Sequence, residues 1–281
     1  MRGSVPKRWD IGERTYEAYK INISEPSRTH WHSCFLLTLI VEGEGEQIVN
    51  EKNVAFSEGS VMILSPADFH STVALHKNTV AYAVKFSDRI FYDSLAEVCQ
   101  LSDFPMVAHL DDKHFETAKA LFQLLFDEQQ HTLPASNLFA INLIEELVIL
   151  TLRASGKEDS ETASGMITRA LAYIHCNFRS RIKAADVAKH VGYSPNYFSA
   201  EFKKQTGMEF QKYLRDSRLE FAKKLLLLSQ LSVTEVCFEC GFHTHQHFSR
   251  AFKNKFGVTP ESMKEKSNEK SNVRNRPYCD R

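Results

Sequence analysis

Asp186-Val187-Ala188-Lys189-His190-Val191-Gly192-Tyr193 is answered 49 residues later by Glu235-Val236-Cys237-Phe238-Glu239-Cys240-Gly241-Phe242. Phe198-x3-Phe202 followed by Gly207 is answered 50 residues later by Phe248-x3-Phe252 followed by Gly257, so the second copy carries one extra residue in its turn. Each copy reads as a short amphipathic helix stopped by glycine, a tight turn, and a longer helix whose phenylalanines recur at i and i+4. That is a helix-turn-helix, twice over. Gly192 and Gly241 stand where a helix C-terminus enters the left-handed conformation, which glycine adopts at little steric cost. Ser194-Pro195 offers a capping hydroxyl and a proline at the first helical position, Thr244 is the corresponding cap in the second copy, and Thr259-Pro260 starts a further helix. The valines and phenylalanines share one face and are assigned to the core.

Between the two copies, Glu209 to Ser229 is a run of 21 residues without glycine or proline, with Leu214, Leu219, Ala222, Leu225 and Leu226 at helical intervals. At about 1.5 Å per residue such a helix is roughly 31 Å long. The major groove of B-DNA returns about every 34–36 Å. A stiff connector of this length would hold two reading helices in successive grooves on one face of a duplex.

Composition frames the rest. A chain of 281 residues suggests two domains. With 43% hydrophobic and 25% charged residues it is neither disordered throughout, collagen-like nor disulfide-stapled. No apolar run approaches the roughly 18 residues of a membrane helix, and the first two dozen residues hold no apolar segment of the secretory kind; a cytoplasmic location is expected. The six cysteines, Cys34, Cys99, Cys176, Cys237, Cys240 and Cys279, suit free thiols in a reducing compartment. Zero net charge hides an asymmetry. Residues 1–165 hold 14 basic and 24 acidic side chains, whereas residues 166–264 hold 16 basic and 8 acidic. The basic part is expected to meet a polyanion and the acidic part something else. Ser155 to Gly165 lacks any large apolar residue and marks a linker, and Glu265 to Arg281 reads as a disordered tail. The expected division is therefore residues 1–155, a linker at 156–165, a DNA-binding domain at 166–264, and a tail at 265–281.

Met166 to Lys264 resembles the DNA-binding domain of the AraC/XylS transcription regulators. The matching residues are Val187-Ala188-x3-Gly192-Tyr193-Ser194-Pro195, Phe198-x3-Phe202-Lys203-Lys204-x2-Gly207, Arg218-Leu219-x2-Ala222-x2-Leu225-Leu226, Gly241-Phe242, and Phe248-Ser249-Arg250-x-Phe252-Lys253-x3-Gly257-x-Thr259-Pro260. The resemblance implies base contacts from Asn196, Ser199 and Ala200 in the first reading helix and from His245, Gln246 and Arg250 in the second. Arg250 suits guanine and Gln246 adenine, each through paired hydrogen bonds, while Ala200 offers only a methyl. Lys203, Lys204 and Lys253 are candidates for phosphate contacts, which position without specifying, or for a solvated helix face. Cys237-x2-Cys240 has no second pair at zinc-finger distance and is assigned to core packing. Of His243, His245 and His247 only the first and last share a helix face, and they are read as DNA-facing polarity.

The acidic half reads as strands followed by helices. Phe35–Val41, Gln47–Asn50, Val61–Leu64 and Thr79–Phe86 are short strands, with Gly43-Glu44-Gly45 as a turn, and together they suggest a small barrel. Segments 113–130 and 136–154 have helical periodicity, with Phe115, Ala118, Phe122 and Leu125 in one and Phe139, Leu143, Leu147 and Leu150 in the other. They are expected to pack as a hairpin and to offer a dimer face. The predicted class is thus α+β, multi-domain.

His30-Trp31-His32, Val41-Glu42-Gly43-Glu44-Gly45 and Gly59-x5-Ser65-Pro66-x-Asp68-x-His70 are similar to the cupin sensor barrel of the same regulators. Catalytic cupins bring two histidines, a carboxylate and a late histidine to one metal, but Ser33 to Thr38 contains no acidic residue. The facial set is incomplete, so no metal or other cofactor is expected. His30, His32 and His70 are candidates for lining an effector pocket, or for purely structural histidines.

The leading function is a ligand-responsive regulator that binds double-stranded promoter DNA and is not an enzyme. The resemblance implies a homodimer that activates transcription through RNA polymerase in response to a small-molecule effector such as a sugar. Two alternatives stand beside it: a cupin metalloenzyme with an accessory DNA-binding module, and an effector-independent regulator governed by a protein partner.

Overall fold

The computed structural model describes residues 8–9, 15–66, 68–90, 104–131, 133–156, 165–229 and 231–265. Most of the expected linker and tail, with Cys99 and Cys279, lies outside the described residues. Ten strands come first: β1 Arg8–Trp9, β2 Tyr16–Ile23, β3 His30–His32, β4 Phe35–Glu42, β5 Glu44–Val49, β6 Lys52–Ser57, β7 Ser60–Leu64, β8 Phe69–Leu75, β9 Thr79–Phe86 and β10 Met106–His109. Eight helices follow: α1 Asp112–Gln130, α2 Ser136–Ala154, α3 Gly165–Asn177, α4 Ala184–Val191, α5 Pro195–Thr206, α6 Phe210–Leu228, α7 Val233–Glu239 and α8 His245–Phe256. Residues 260–265 are also helical, opened by Thr259, whose hydroxyl accepts from the Ser262 N–H at 3.2 Å.

The N-terminal domain is built from two five-stranded sheets in the orders β1-β3-β8-β5-β6 and β10-β7-β4-β9-β2. Strand β4 is apolar on both faces, interrupted only by Thr38 before it ends at Glu42, because both of its faces are covered. Phe35, Leu37 and Leu39 pack with Phe115, Phe122, Leu143 and Leu147 of α1 and α2, while Leu36, Thr38 and Ile40 turn inward to line a cavity between the sheets. The chain reverses at Gly43 alone, with φ +98°, and not over three residues. Glu44 and Gly45 already belong to β5, where Gly45 pairs with Phe56 and Leu75. A side chain on Gly45 would meet the Ala74 carbonyl, so that glycine serves close strand approach.

The C-terminal domain is the expected double helix-turn-helix. Gly192 ends α4 and Gly207 ends α5 in the left-handed region, as Gly241 and Gly257 follow α7 and α8. Ser194 and Thr244 accept from the N–H of Tyr197 and His247 at 3.4 and 3.3 Å. A reciprocal pair holds α7, in which Ser232 Oγ accepts from the Glu235 N–H and the Glu235 carboxylate from the Ser232 N–H. The phenylalanine pairs Phe198/Phe202 and Phe248/Phe252 are fully buried, and Cys237 and Cys240 are buried free thiols inside the same core. The connector α6 spans 19 residues, about 28 Å at 1.5 Å per residue. It is shorter than the 21-residue run because Glu209 and Ser229 act as its caps.

The two domains touch. Trp31 and Phe69, on adjacent strands β3 and β8, belong to the core of the helical domain, and their rings lie 5.0 and 5.3 Å from that of Phe221 on α6. Arg179 stacks 4.3 Å above Trp31 and pairs with Glu239 of α7 at 3.6 Å. His190 of α4 meets Asp88 at 3.0 Å.

The two equivalent glycines differ in surroundings, and this gives a test. A Cβ on Gly192 meets nothing within 4 Å, whereas on Gly241 it would stand 2.4 Å from the Arg179 carbonyl oxygen. Gly192→Ala should cost about 1–2 kcal/mol, the usual penalty of a left-handed non-glycine residue, and Gly241→Ala clearly more. Urea midpoints at unchanged slope measure both; equal losses would contradict the account.

Candidate functional site

The candidate DNA-reading residues lie at the N-termini of α5 and α8, just after the Ser194 and Thr244 caps. Asn196 and Ala200 are exposed on α5, and Gln246 and Arg250 on α8. Ser199 and His245 are only half exposed. The Ser199 hydroxyl donates back to the Pro195 carbonyl at 2.8 Å, and the His245 ring lies 3.4 Å from Glu261 and 3.4 Å from the Ser249 hydroxyl. Both side chains are therefore engaged within their own domain. Lys203 is tied to Glu209 at 2.7 Å and Lys204 to Glu201 at 3.6 Å, while Lys253 is exposed on the outer face of α8.

Arg250 stands at the rim of a cavity of about 460 Å³ between α6 and α8, shared with Lys212, Arg215, His247, Asn254 and Lys255. A second cavity of about 270 Å³ continues past Arg215 and His247 toward Arg218 and Thr244. Lys212, Arg215 and Arg250 thus gather where the connector crosses the second candidate reading helix, with Asp216 on the same wall and Lys255 paired with Glu220 at 3.0 Å. Lys212 and Arg215 escaped the sequence reading because the connector was judged by its apolar stripe. Their spacing of three on the opposite stripe was the available signal. Arg218, one turn on, has a different duty: its guanidinium donates to the carbonyls of Phe178 and Ser180 at 2.6 and 2.8 Å and anchors the connector. Tyr193 and Tyr197, also missed, are exposed and stacked 5.2 Å apart at the first turn.

The other site is a cavity of about 970 Å³ between the two sheets. Its walls are largely apolar, with Ile21, Leu36, Ile40, Phe56 and Met62 among the lining residues, and His30, His32 and His70 gather together in it. Strand pairing explains the gathering. His30 lies opposite His70 and Trp31 opposite Phe69, so alternation sends His30, His32 and His70 to the cavity and Trp31 and Phe69 to the far side. Ring centroids are 4.1 Å apart for His30 and His70, 5.3 Å for His30 and His32, and 5.2 Å for His32 and His70.

Burial dominates the chemistry of the trio. It lowers the pKa of His32 to about 3, with further lowering from His30 and Lys85, and drives His70 well below its ordinary value. His30 is lowered for the same reason, against a hydrogen bond from its Nδ1 to the Arg28 carbonyl at 2.9 Å. All three rings are consequently neutral at pH 7. Both nitrogens of His32 and Nδ1 of His70 are buried without a hydrogen-bond partner. The ligand nitrogens of the three rings lie within 4.8 Å of one another, and among the described residues no carboxylate joins the group. Three imidazoles fit a transition-metal ion as donors, but the catalytic two-histidine-one-carboxylate set is not assembled. Lys85, also lining the cavity, pairs with Glu17 at 3.4 Å.

Among the described residues no helix is long and apolar enough to cross a membrane. Residues 11–148 match the family described as AraC-like ligand binding domain, and residues 187–266 match a helix-turn-helix domain family. The HTH-type transcriptional activator RhaS of Escherichia coli strain SMS-3-5 is 26% identical over 246 residues, covering 84% of this chain and 87% of RhaS. Among solved structures, the C-terminal domain of AraT, a response regulator from Geobacillus stearothermophilus, is 32% identical over 37% of this chain and 87% of its own, with a TM-score of 0.36. A transcriptional regulator from Chromobacterium violaceum with an AraC-type DNA-binding domain is 28% identical over 36% of this chain and 91% of its own, with a TM-score of 0.35. With a ligand-binding domain followed by a double helix-turn-helix, this chain belongs to the AraC/XylS family of DNA-binding transcription regulators.

Proposed function

We propose that the protein activates transcription as a homodimer in the cytoplasm, reading promoter DNA with α5 and α8 and responding to a small-molecule effector, such as a sugar, held between the two sheets. Residues 1–155 sense and dimerise, 156–165 link, and 166–264 read DNA and present a surface to RNA polymerase. One observation carries the reading. The exposed polar tip of the second reading helix, Gln246 and Arg250, borders the cavity lined by Lys212 and Arg215, so base-reading and phosphate-binding groups share one face. The dimer reading is supported by exposed apolar side chains on the α1/α2 pair, where Leu124, Leu138 and Phe139 are 44%, 60% and 43% accessible.

The logarithm of the DNA-binding constant should fall linearly with log salt, with a slope of about −0.9 per phosphate contacted. On that background Arg250→Ala should cost about 1–3 kcal/mol and relax preference at one base pair, whereas Arg215→Ala should weaken all sequences alike and flatten the salt slope by about one. Selection of bound duplexes from a random pool, followed by anisotropy titrations, reads both. A sequence-independent loss with Arg250→Ala would remove it from base reading. Lys203→Ala should change affinity less than Lys253→Ala, because Glu209 already occupies the Lys203 ammonium.

The effector arm is tested on the full chain with a panel of sugars and related metabolites. At 100 times its Kd a true ligand should stabilise the folded state by about 2.7 kcal/mol, seen as a rise in Tm. A flat response across the panel, with DNA binding intact, would point to control by a protein partner instead.

A further inference from the structure

We infer that His30, His32 and His70 bind one divalent transition-metal ion, and that its occupancy is felt by the DNA-reading domain through Trp31 and Phe69 on the opposite face of the same two strands. The inference deepens the sensor reading and rests on the cavity between the sheets being the regulatory pocket.

The first support is the unsatisfied chemistry of the trio. Buried nitrogens normally find partners, yet His32 offers both of its nitrogens and His70 its Nδ1 with none. The residue set also selects the ion: three nitrogen donors without a carboxylate suit zinc, nickel, copper or cobalt better than magnesium or calcium. Metal–nitrogen bonds of about 2.0–2.1 Å place tetrahedral donors roughly 3.4 Å apart, so the present spread of 4.8 Å closes by small ring movements. The nearby Lys85 cation opposes a metal ion, but Glu17 at 3.4 Å offsets it. The trio lines the cavity between the sheets, from which a further ligand can reach it.

The second support is the strand geometry. Trp31 lies between two of the proposed ligands, and His70 adjoins Phe69. Drawing three rings onto one centre restrains the backbone that carries Trp31 and Phe69 against Phe221 of the connector. Arg179 extends the contact from Trp31 to Glu239 on α7, the first helix of the second DNA-reading motif. A single ion can thereby bias how firmly the reading domain docks.

The test uses the full chain, stripped of metal by chelation, in a Trp9→Phe background that leaves Trp31 as the only tryptophan. Zn²⁺ and Co²⁺ titrations by calorimetry should give one equivalent bound. Co²⁺ should develop visible d–d bands, and Cu²⁺ resonance spectra of the unmodified chain should show coupling to imidazole nitrogens. His32→Gln or His70→Gln should weaken binding at least 100-fold, beyond the roughly 10–100-fold loss seen for outer-shell partners. Zn²⁺ should also change Trp31 emission and DNA affinity in the parent and not in these variants. A chain that binds DNA but no metal, Cu²⁺ spectra without nitrogen coupling, or unchanged affinity in both variants would overturn the site while leaving the regulator reading intact. Metal binding without a change at Trp31 or in DNA affinity would overturn the coupling.

Discussion

The packing of Phe221 against Trp31 and Phe69 is the contact on which the molecule's organisation turns. It joins the His190–Asp88 pair and Ala172, which is buried in the barrel-side core, in holding the sensor barrel and the reading domain together. With it, the middle of the connector helix is pressed onto the back of the strands that line the sensor cavity. Aromatic rings at this separation contribute beyond their buried area, and Arg179 caps the group from the side of α7. The connector therefore has two duties. Its Leu214, Leu219, Ala222 and Leu225 stripe holds the two motifs together, while Phe221, to one side of that stripe, takes hold of the barrel.

Each face of a strand in such a protein can be given separate work, because side chains alternate at every residue. Strand β4 shows the structural use, one face filling the helix-backed core and the other lining the cavity. Strand β3 shows the regulatory use. His30 and His32 look into the cavity and Trp31 looks out at the connector, so a ligand on one side and a helix on the other are separated by a single backbone thickness. The charge asymmetry between the halves follows the same division. The basic half carries the double helix-turn-helix, and the acidic half holds its inward cation Lys85 in a pair with Glu17.

The double motif was legible in the sequence because it depends on local rules. Glycine at Gly192, Gly207, Gly241 and Gly257, hydroxyl caps at Ser194 and Thr244, and phenylalanines at i and i+4 each encode a helix boundary or a helix face without reference to distant residues. The same locality made α1, α2 and strands β4, β5, β7 and β9 readable to within a few residues. Strands β1, β2, β3, β6, β8 and β10 were not read, since short, polar or mixed strands declare themselves only when a neighbour pairs with them. The candidate DNA-facing residues were half legible. The resemblance pointed to Asn196, Gln246 and Arg250, which the fold leaves exposed, but not to the turn of His245 toward Glu261, the hold of Glu209 on Lys203, or the place of Lys212 and Arg215 beside Arg250.

What the sequence by itself determined is the order of elements, the repeat, the connector and the division of charge, all set by short-range periodicity and backbone chemistry. What only the tertiary structure decided is the meeting of residues far apart in the chain. His70 stands beside His30 and His32 because β8 pairs with β3 in one particular register, and Phe221 finds Trp31 because two domains dock. Register and docking are chosen by the total burial of the folded chain, a quantity that no local window of residues contains.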